Sequence, residues 1–106
     1  MMQIKLDNRL EAVSHLILPN KPMADIGTDH AYLPVYMIIN DLVPYAIATD
    51  RVRGPLASAK QLVELLSLDK QVSIRLGEGL KVLQPEEVDT IVISGMGGFT
   101  IKDILS

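Results

Sequence analysis

Apolar positions along this chain switch between two periods, and the switches predict its elements. Leu6, Leu10, Val13 and Ile17 fall three or four residues apart, the spacing of one helical face. Asn8 and Glu11 have the spacing of a capping box. The helix is expected to end before Pro19, because the residue preceding a proline avoids the helical region. Packing on a sheet is its simplest role, and a substrate wall is the alternative. Met23 to Ile26 then reads as a short buried strand. A second helix is expected from about Ala31 to Asn40, with Leu33, Met37 and Ile38 inward. Pro34 falls in or just after its first turn, where a missing N–H costs little. Asp41 to Pro44 reads as a turn, and Tyr45 to Asp50 as a second strand.

Arg51 to Pro55 is expected to be a loop with Pro55 at the first helical position. Leu56, Ala59, Val63 and Leu66 then form the buried stripe of a third helix. Gln71 to Leu76 alternates polar and apolar, as an outer strand does, and runs into a short turn at Gly77-Glu78-Gly79-Leu80. Pro85-Glu86-Glu87 reads as a solvated turn. Thr90 to Ile93 is an apolar run suited to a central strand covered on both faces. It stops at Ser94-Gly95-Met96-Gly97-Gly98, and a last helix is expected from about Thr100. Strands alternating with helices argue an α/β fold: a Rossmann-like parallel sheet with right-handed crossovers, here its first four strands with flanking helices. The pattern stops one turn into a helix, so residues 1–106 are expected to be the truncated, N-terminal portion of a longer domain.

Composition narrows the partners. The chain has 106 residues, 48% hydrophobic and 22% charged, an ordinary globular balance for one domain. A net charge of −3 leaves no overall basic field, so a nucleic-acid partner would need a local patch or further chain. The absence of cysteine excludes disulfides, thiolate catalysis and thiolate metal sites, and suits a reducing cytosol. The N-terminus lacks the basic-then-apolar pattern of a signal peptide. No apolar run approaches the roughly 18 residues of a membrane helix. A soluble cytoplasmic domain is expected.

The chemistry gathers at the strand ends. Asp25/Gly27, Asp50, Gly77/Glu78/Gly79 and Gly95/Gly97/Gly98 each follow an apolar strand. Singly these are normal turn residues. Together they would line one sheet edge, where open α/β sheets bind ligands outside the carboxyl ends of their strands. Asp50, at the end of the second strand, suits both hydroxyls of a ribose. The first loop is not G-x-G-x-x-G, and Asp25 would repel a pyrophosphate. A sulfonium with an amino-acid tail fits better, which favours S-adenosyl-L-methionine over NAD and makes redox chemistry the weaker reading.

The run Asp25-Ile26-Gly27-Thr28-Asp29-His30-Ala31-Tyr32-Leu33-Pro34 resembles the first motif of the bacterial tRNA (adenine(22)-N1)-methyltransferases. Ala48-Thr49-Asp50 followed by Gly54-Pro55 is similar to the same family. So are Arg75-Leu76-Gly77-Glu78-Gly79-Leu80 and Ile93-Ser94-Gly95-Met96-Gly97-Gly98. The match runs from about Arg9 to Leu105 and covers only the first part of the family's Rossmann-like catalytic domain, without its helical C-terminal region. The resemblance implies methyl transfer from S-adenosyl-L-methionine to adenine N1 in tRNA. It implies that Asp25, Gly27 and His30 contact the methionine part of the cofactor, with Thr28 a further cofactor-binding residue. Asp50 and Arg51 would sit at the ribose, Gly77, Glu78 and Gly79 near the adenine, and Ser94, Gly95 and Met96 where acceptor base meets methyl. Asp29 is the candidate catalytic residue, holding the amino group of the target adenine.

Blander roles stay open beside these. Asp29 could simply cap a helix, His30 could pack at a helix start, and Met96 could fill space. Asp25, Asp29 and His30 lack a fourth ligand, so no metal is expected. The alternative function is a non-catalytic Rossmann-like fragment that binds the cofactor or self-associates, with the unfinished sheet pairing to a second copy as a homodimer.

Overall fold

The computed structural model describes residues 4–28, 30–95 and 98–103. The first helix, α1 (Asn8–Ser14), is capped by Asp7, whose Oδ1 accepts the Leu10 N–H at 2.8 Å. The cap therefore lies one residue before the expected Asn8. The helix also ends earlier than Pro19 suggests. Leu16 and Ile17 close tighter turns onto Val13 and Ser14. Leu18 N–H then reaches the hydroxyl of Thr90, 72 residues away, which draws the chain off the helix axis and onto the sheet.

Strand β1 (Met23–Ile26), helix α2 (Tyr32–Ile39), strand β2 (Ala46–Asp50), helix α3 (Arg53–Leu65) and strand β3 (Val72–Leu76) follow in order. Leu33, Met37 and Ile38 are buried in α2, and Leu56, Ala59 and Val63 in α3, as the apolar spacing requires. Helix α3 begins at Arg53, so Pro55 is its third residue, still within the first turn where no N–H is needed. A 3-10 turn (Gly79–Val82) leads to β4 (Thr90–Gly95) and β5 (Gly98–Asp103).

The sheet order is β3-β2-β1-β4-β5. Strands β1 to β4 are parallel, with Asp25 in register with Ala48 on one side and Val92 on the other. Strand β3 is an edge, as its alternation predicts. The sequence direction reverses at β1, which has β2 on one flank and β4 on the other. Met23, Ala46, Ala48, Val72 and Val92 form one face and pack with residues of all three helices. Ala24, Ile26, Ile47 and Ile91 form the other, closed by Val88 and Leu83 from the segment before β4.

Two expectations are overturned. The residues from Thr100 onward do not open a helix: they lie in β5, antiparallel to β4, with Thr100 opposite Ile93 and Ile101 opposite Val92. The sheet is therefore mixed and five-stranded. Phe99, Thr100 and Ile101 are aromatic or β-branched and suit a pleated surface, and pairing them covers the otherwise open edge of apolar β4. The Pro85-Glu86-Glu87 turn is not wholly solvated, because Glu87 forms a bidentate ion pair with Arg75.

Candidate functional site

The reversal at β1 opens a cleft at the carboxyl ends of β1, β2 and β3, with a volume of about 640 Å³. It is lined by Ile26, Gly27, Thr49, Asp50, Arg51 and the run Gly77 to Lys81. The lining is built by backbone bonds. Thr49 O accepts the N–H groups of both Gly27 (2.9 Å) and Thr28 (2.8 Å), curling the end of β1 over β2. That curl needs a left-handed residue, and Gly27 supplies it at φ 76°. Ala31, at the N-terminus of α2, is also left-handed at φ 63° and fully buried. An alanine there carries strain of about 1 kcal/mol. Across the cleft, Gly77 N–H donates to Asp50 O at 3.0 Å.

Asp25 lies one residue inside this rim and is 3% exposed. Its Oδ2 accepts the Thr28 hydroxyl at 2.9 Å, while Oδ1 is buried with no hydrogen-bond partner among the described residues. Burial raises its pKa from 3.8 to about 7; the Thr28 bond opposes the shift and the Asp50 carboxylate adds to it. A buried carboxyl with one oxygen unsatisfied is costly. Among the described residues no donor reaches that oxygen. Asp50 is fixed by the Val52 N–H, which donates to its Oδ1 at 3.0 Å.

The two glycines of the far wall differ in purpose. A Cβ on Gly77 would collide with the Cγ1 of Val82, whereas one on Gly79 would meet open space. Gly77 lets the wall fold against itself. Gly79 sits at φ +51°, a backbone shape that other residues reach only with strain.

Of the residues singled out from sequence, Gly27, Asp50, Arg51, Gly77, Glu78 and Gly79 line the cleft, with Asp25 and Thr28 linked at its rim. His30 is exposed and stacks on Tyr32 at 5.4 Å, outside the lining. Ser94 and Gly95 pair with Phe99 and Gly98 in the β4–β5 ladder. Asp29 and Met96 lie outside the described residues. Among the described residues no cluster of three or more His, Cys, Asp or Glu could hold a metal, and no helix is long and apolar enough to cross a membrane.

A family model described as a methyltransferase domain matches residues 6–106. The chain belongs to the methyltransferase-domain family. It is 46% identical over 105 residues to the tRNA (adenine(22)-N(1))-methyltransferase of Bacillus subtilis, which covers 99% of this chain and 44% of that protein. The crystal structure of the B. subtilis M1A22 tRNA methyltransferase TrmK matches with a TM-score of 0.85 and 45% identity, over 89% of this chain and 40% of that one. The structure of M. capricolum TrmK with S-adenosyl-homocysteine matches with a TM-score of 0.78 and 39% identity, over 85% of this chain and 41% of that one. The chain thus spans less than half the length of these relatives.

Four lining residues of this methyltransferase domain were not singled out from sequence: Ile26, Thr49, Leu80 and Lys81. Thr49 had a legible signal, since it precedes Asp50 on the same strand end. Leu80 stood within the quoted Arg75-to-Leu80 motif without a role assigned to it, and Lys81 had no signal, because only the fold of the 77–82 segment brings it to the cleft.

Proposed function

We propose that this chain is the cofactor-binding portion of a tRNA adenine-N1 methyltransferase that uses S-adenosyl-L-methionine. The observation that carries the reading is the buried Asp25 carboxyl, with Oδ1 unpartnered, beside a cleft holding a second carboxylate, Asp50, at the end of the next strand. An ammonium and a sulfonium supply the positive charge that Asp25 lacks, and a ribose supplies two hydroxyl donors for Asp50. A dinucleotide would also offer Asp50 a ribose, but it would bring a pyrophosphate to the first loop, beside Asp25 and without the glycines of a phosphate-binding turn.

On this reading Asp25, Gly27, Thr28 and His30 serve the methionine part, and Asp50 and Arg51 the ribose. Gly77, Glu78 and Gly79 serve the adenine, with the exposed Leu80 side chain as an apolar cover. Ser94, Gly95 and Met96 would face the acceptor base. When bound, the sulfonium offers an electrophilic methyl group to the in-plane lone pair of adenine N1 and leaves as a neutral thioether. That lone pair carries no proton, so no residue of the chain need act as a base. The residues contribute by positioning and by excluding water. Asp29 would hold the N6 amino group of the target adenine and stabilise the positive charge that grows on the ring. The partner is tRNA and the setting cytoplasmic, as for a cytosolic RNA-modifying enzyme.

A second reading, cofactor binding without turnover, is favoured by one observation. The Ser94–Gly95 segment assigned to the acceptor is engaged in the ladder with Phe99 and Gly98. On that reading a homodimer would use β3, the edge not covered by β5. Incubating the chain with methyl-labelled cofactor and a tRNA transcript separates the two. Label incorporated into a transcript with adenine 22, and not into one with guanine there, supports the first reading. Cofactor binding without incorporation supports the second.

A further inference from the structure

The cleft wall from Gly77 to Lys81 belongs to an irregular segment with only one 3-10 turn to hold it. Ordering each such residue costs on the order of 1–2 kcal/mol of backbone entropy, so something must fix its shape. The segment is pinned where it enters, by Gly77 N–H on Asp50 O at 3.0 Å, and where it leaves, by Asp89 N–H on Pro22 O at 2.9 Å. Between these points Leu83 and Val88 pack against one face of the sheet, and the polar tie to the sheet is one side chain, Arg75 on β3.

Arg75 donates to Ser73, Val82 and Glu87, with the Tyr45 side chain also beside it. Nε donates to Ser73 Oγ at 3.1 Å, which fixes the side chain along its own strand. Nη1 donates to Val82 O at 2.8 Å, the last residue of the 3-10 turn. Nη1 and Nη2 grip the two carboxylate oxygens of Glu87 at 2.8 and 2.5 Å. Glu87 Oε1 in turn accepts the Gln84 N–H at 2.9 Å. One guanidinium therefore ties both halves of the 77–87 segment to the sheet, and Val82, whose carbonyl it holds, is the residue packed against Gly77. The pair is half-buried, with side chains 25% and 22% exposed. Fork-to-fork pairing of this kind is stronger and more directional than an ordinary surface ion pair. By contrast, Lys81 and Glu78 lie 3.7 Å apart with side chains 83% and 68% exposed, too solvated to hold the wall.

We propose that Arg75 and Glu87 are positioning residues that clamp the 77–82 segment as a preformed wall for the nucleoside half of the bound cofactor. The proposal rests on the cofactor reading above and adds to it a pair that touches no ligand. Without the clamp the wall is formed only part of the time, and apparent affinity falls by that fraction. Lysine cannot replace Arg75, because a single ammonium cannot span Ser73, Val82 O and both Glu87 oxygens.

The test measures binding of S-adenosyl-L-methionine and of adenosine by calorimetry, with amide exchange across residues 77–88. Arg75→Met and Glu87→Gln are expected to weaken both ligands about tenfold or more and to speed exchange in that segment while β1 and β2 keep their protection. Arg75→Lys should resemble Arg75→Met, and Arg75→Glu combined with Glu87→Arg should recover part of the affinity. Glu87→Gln keeps the side chain's size, so it reports on the clamp even where Arg75→Met unfolds. Wild-type affinity in a folded Glu87→Gln chain, or no local change in exchange, overturns the clamp alone. If wild type binds neither ligand while the variants still show the local exchange change, the cofactor reading is overturned and the wall's purpose with it.

Discussion

Asp25 sits where stability and binding oppose each other. Its pKa is raised by burial from 3.8 to about 7, so between those values the folded chain binds a proton that the unfolded chain has released. Stability from this group is fully present below pH 3.8 and is lost as pH rises to about 7, with a ceiling on the order of 4 kcal/mol. Asp25→Asn removes the charge, so urea unfolding should show the variant more stable than wild type at pH 8, with the difference shrinking toward pH 4. The same variant should bind the cofactor less tightly, because the acceptor for its cationic part is gone. Glu87 has the opposite sign. Its bonds to Arg75 and the Gln84 N–H lower its pKa to about 2, so its contribution holds above pH 4.5 and fades in acid. The two glycines offer a second contrast. Gly77→Ala drives a methyl into the half-buried and stiff Val82 and should cost about 1–3 kcal/mol in unfolding free energy. Gly79→Ala pays only for its left-handed backbone, about 1 kcal/mol, because no atom stands in the way.

At the scale of elements, the helix ends show what periodicity leaves out. Helix α3 closes with Leu68 N–H on Val63 O at 2.9 Å and Ser67 N–H on Glu64 O at 3.1 Å, the paired bonds of a Schellman motif. Helix α2 closes the same way, with Leu42 on Met37 and Asp41 on Ile38. The left-handed positions are held by Ser67 at φ 57° and Asp41 at φ 56°, where glycine is usual. Ser67→Gly should therefore stabilise the chain by about 0.5–1 kcal/mol, visible as a higher midpoint in thermal unfolding. The α2 stop was marked by Asn40, Asp41 and Pro44, whereas the α3 stop, with serine in place of glycine, carries no such mark. The strands were easier to read. Met23–Ile26 and Thr90–Ile93 are too short and apolar to be anything but buried, and the polar alternation of Val72–Leu76 marks an edge. Strand β5 was missed because Thr100-Ile101-Lys102 fits a strand as well as a helix start. The choice is made by the open edge of β4, a neighbour in space.

Across the whole molecule, strand order turns scattered residues into a site. Gly27, Asp50 and Gly77 meet because β1, β2 and β3 are adjacent and parallel, with their carboxyl ends level. That much was legible, since acids and glycines closing successive apolar runs can converge only on one sheet edge. The tie between Arg75 and Glu87 was not, because a charged turn looks solvated until the chain folds back over its own strand. The arrangement leaves a chain whose central acid is destabilising when empty. Its cleft is walled on one side by the β1–β2 turn and on the other by a clamped segment. Ligand binding should stabilise such a domain more than its sheet alone would suggest.

The central claim, that this cleft takes S-adenosyl-L-methionine and not a dinucleotide, is tested most directly by calorimetric titration of the chain with each, repeated on Asp50→Ala. The account predicts saturable one-site binding of S-adenosyl-L-methionine, no binding of NAD, and a loss of about tenfold or more in Asp50→Ala from the missing charge-assisted bonds to the ribose. Binding of NAD, or binding of S-adenosyl-L-methionine that Asp50→Ala leaves unchanged, would contradict it.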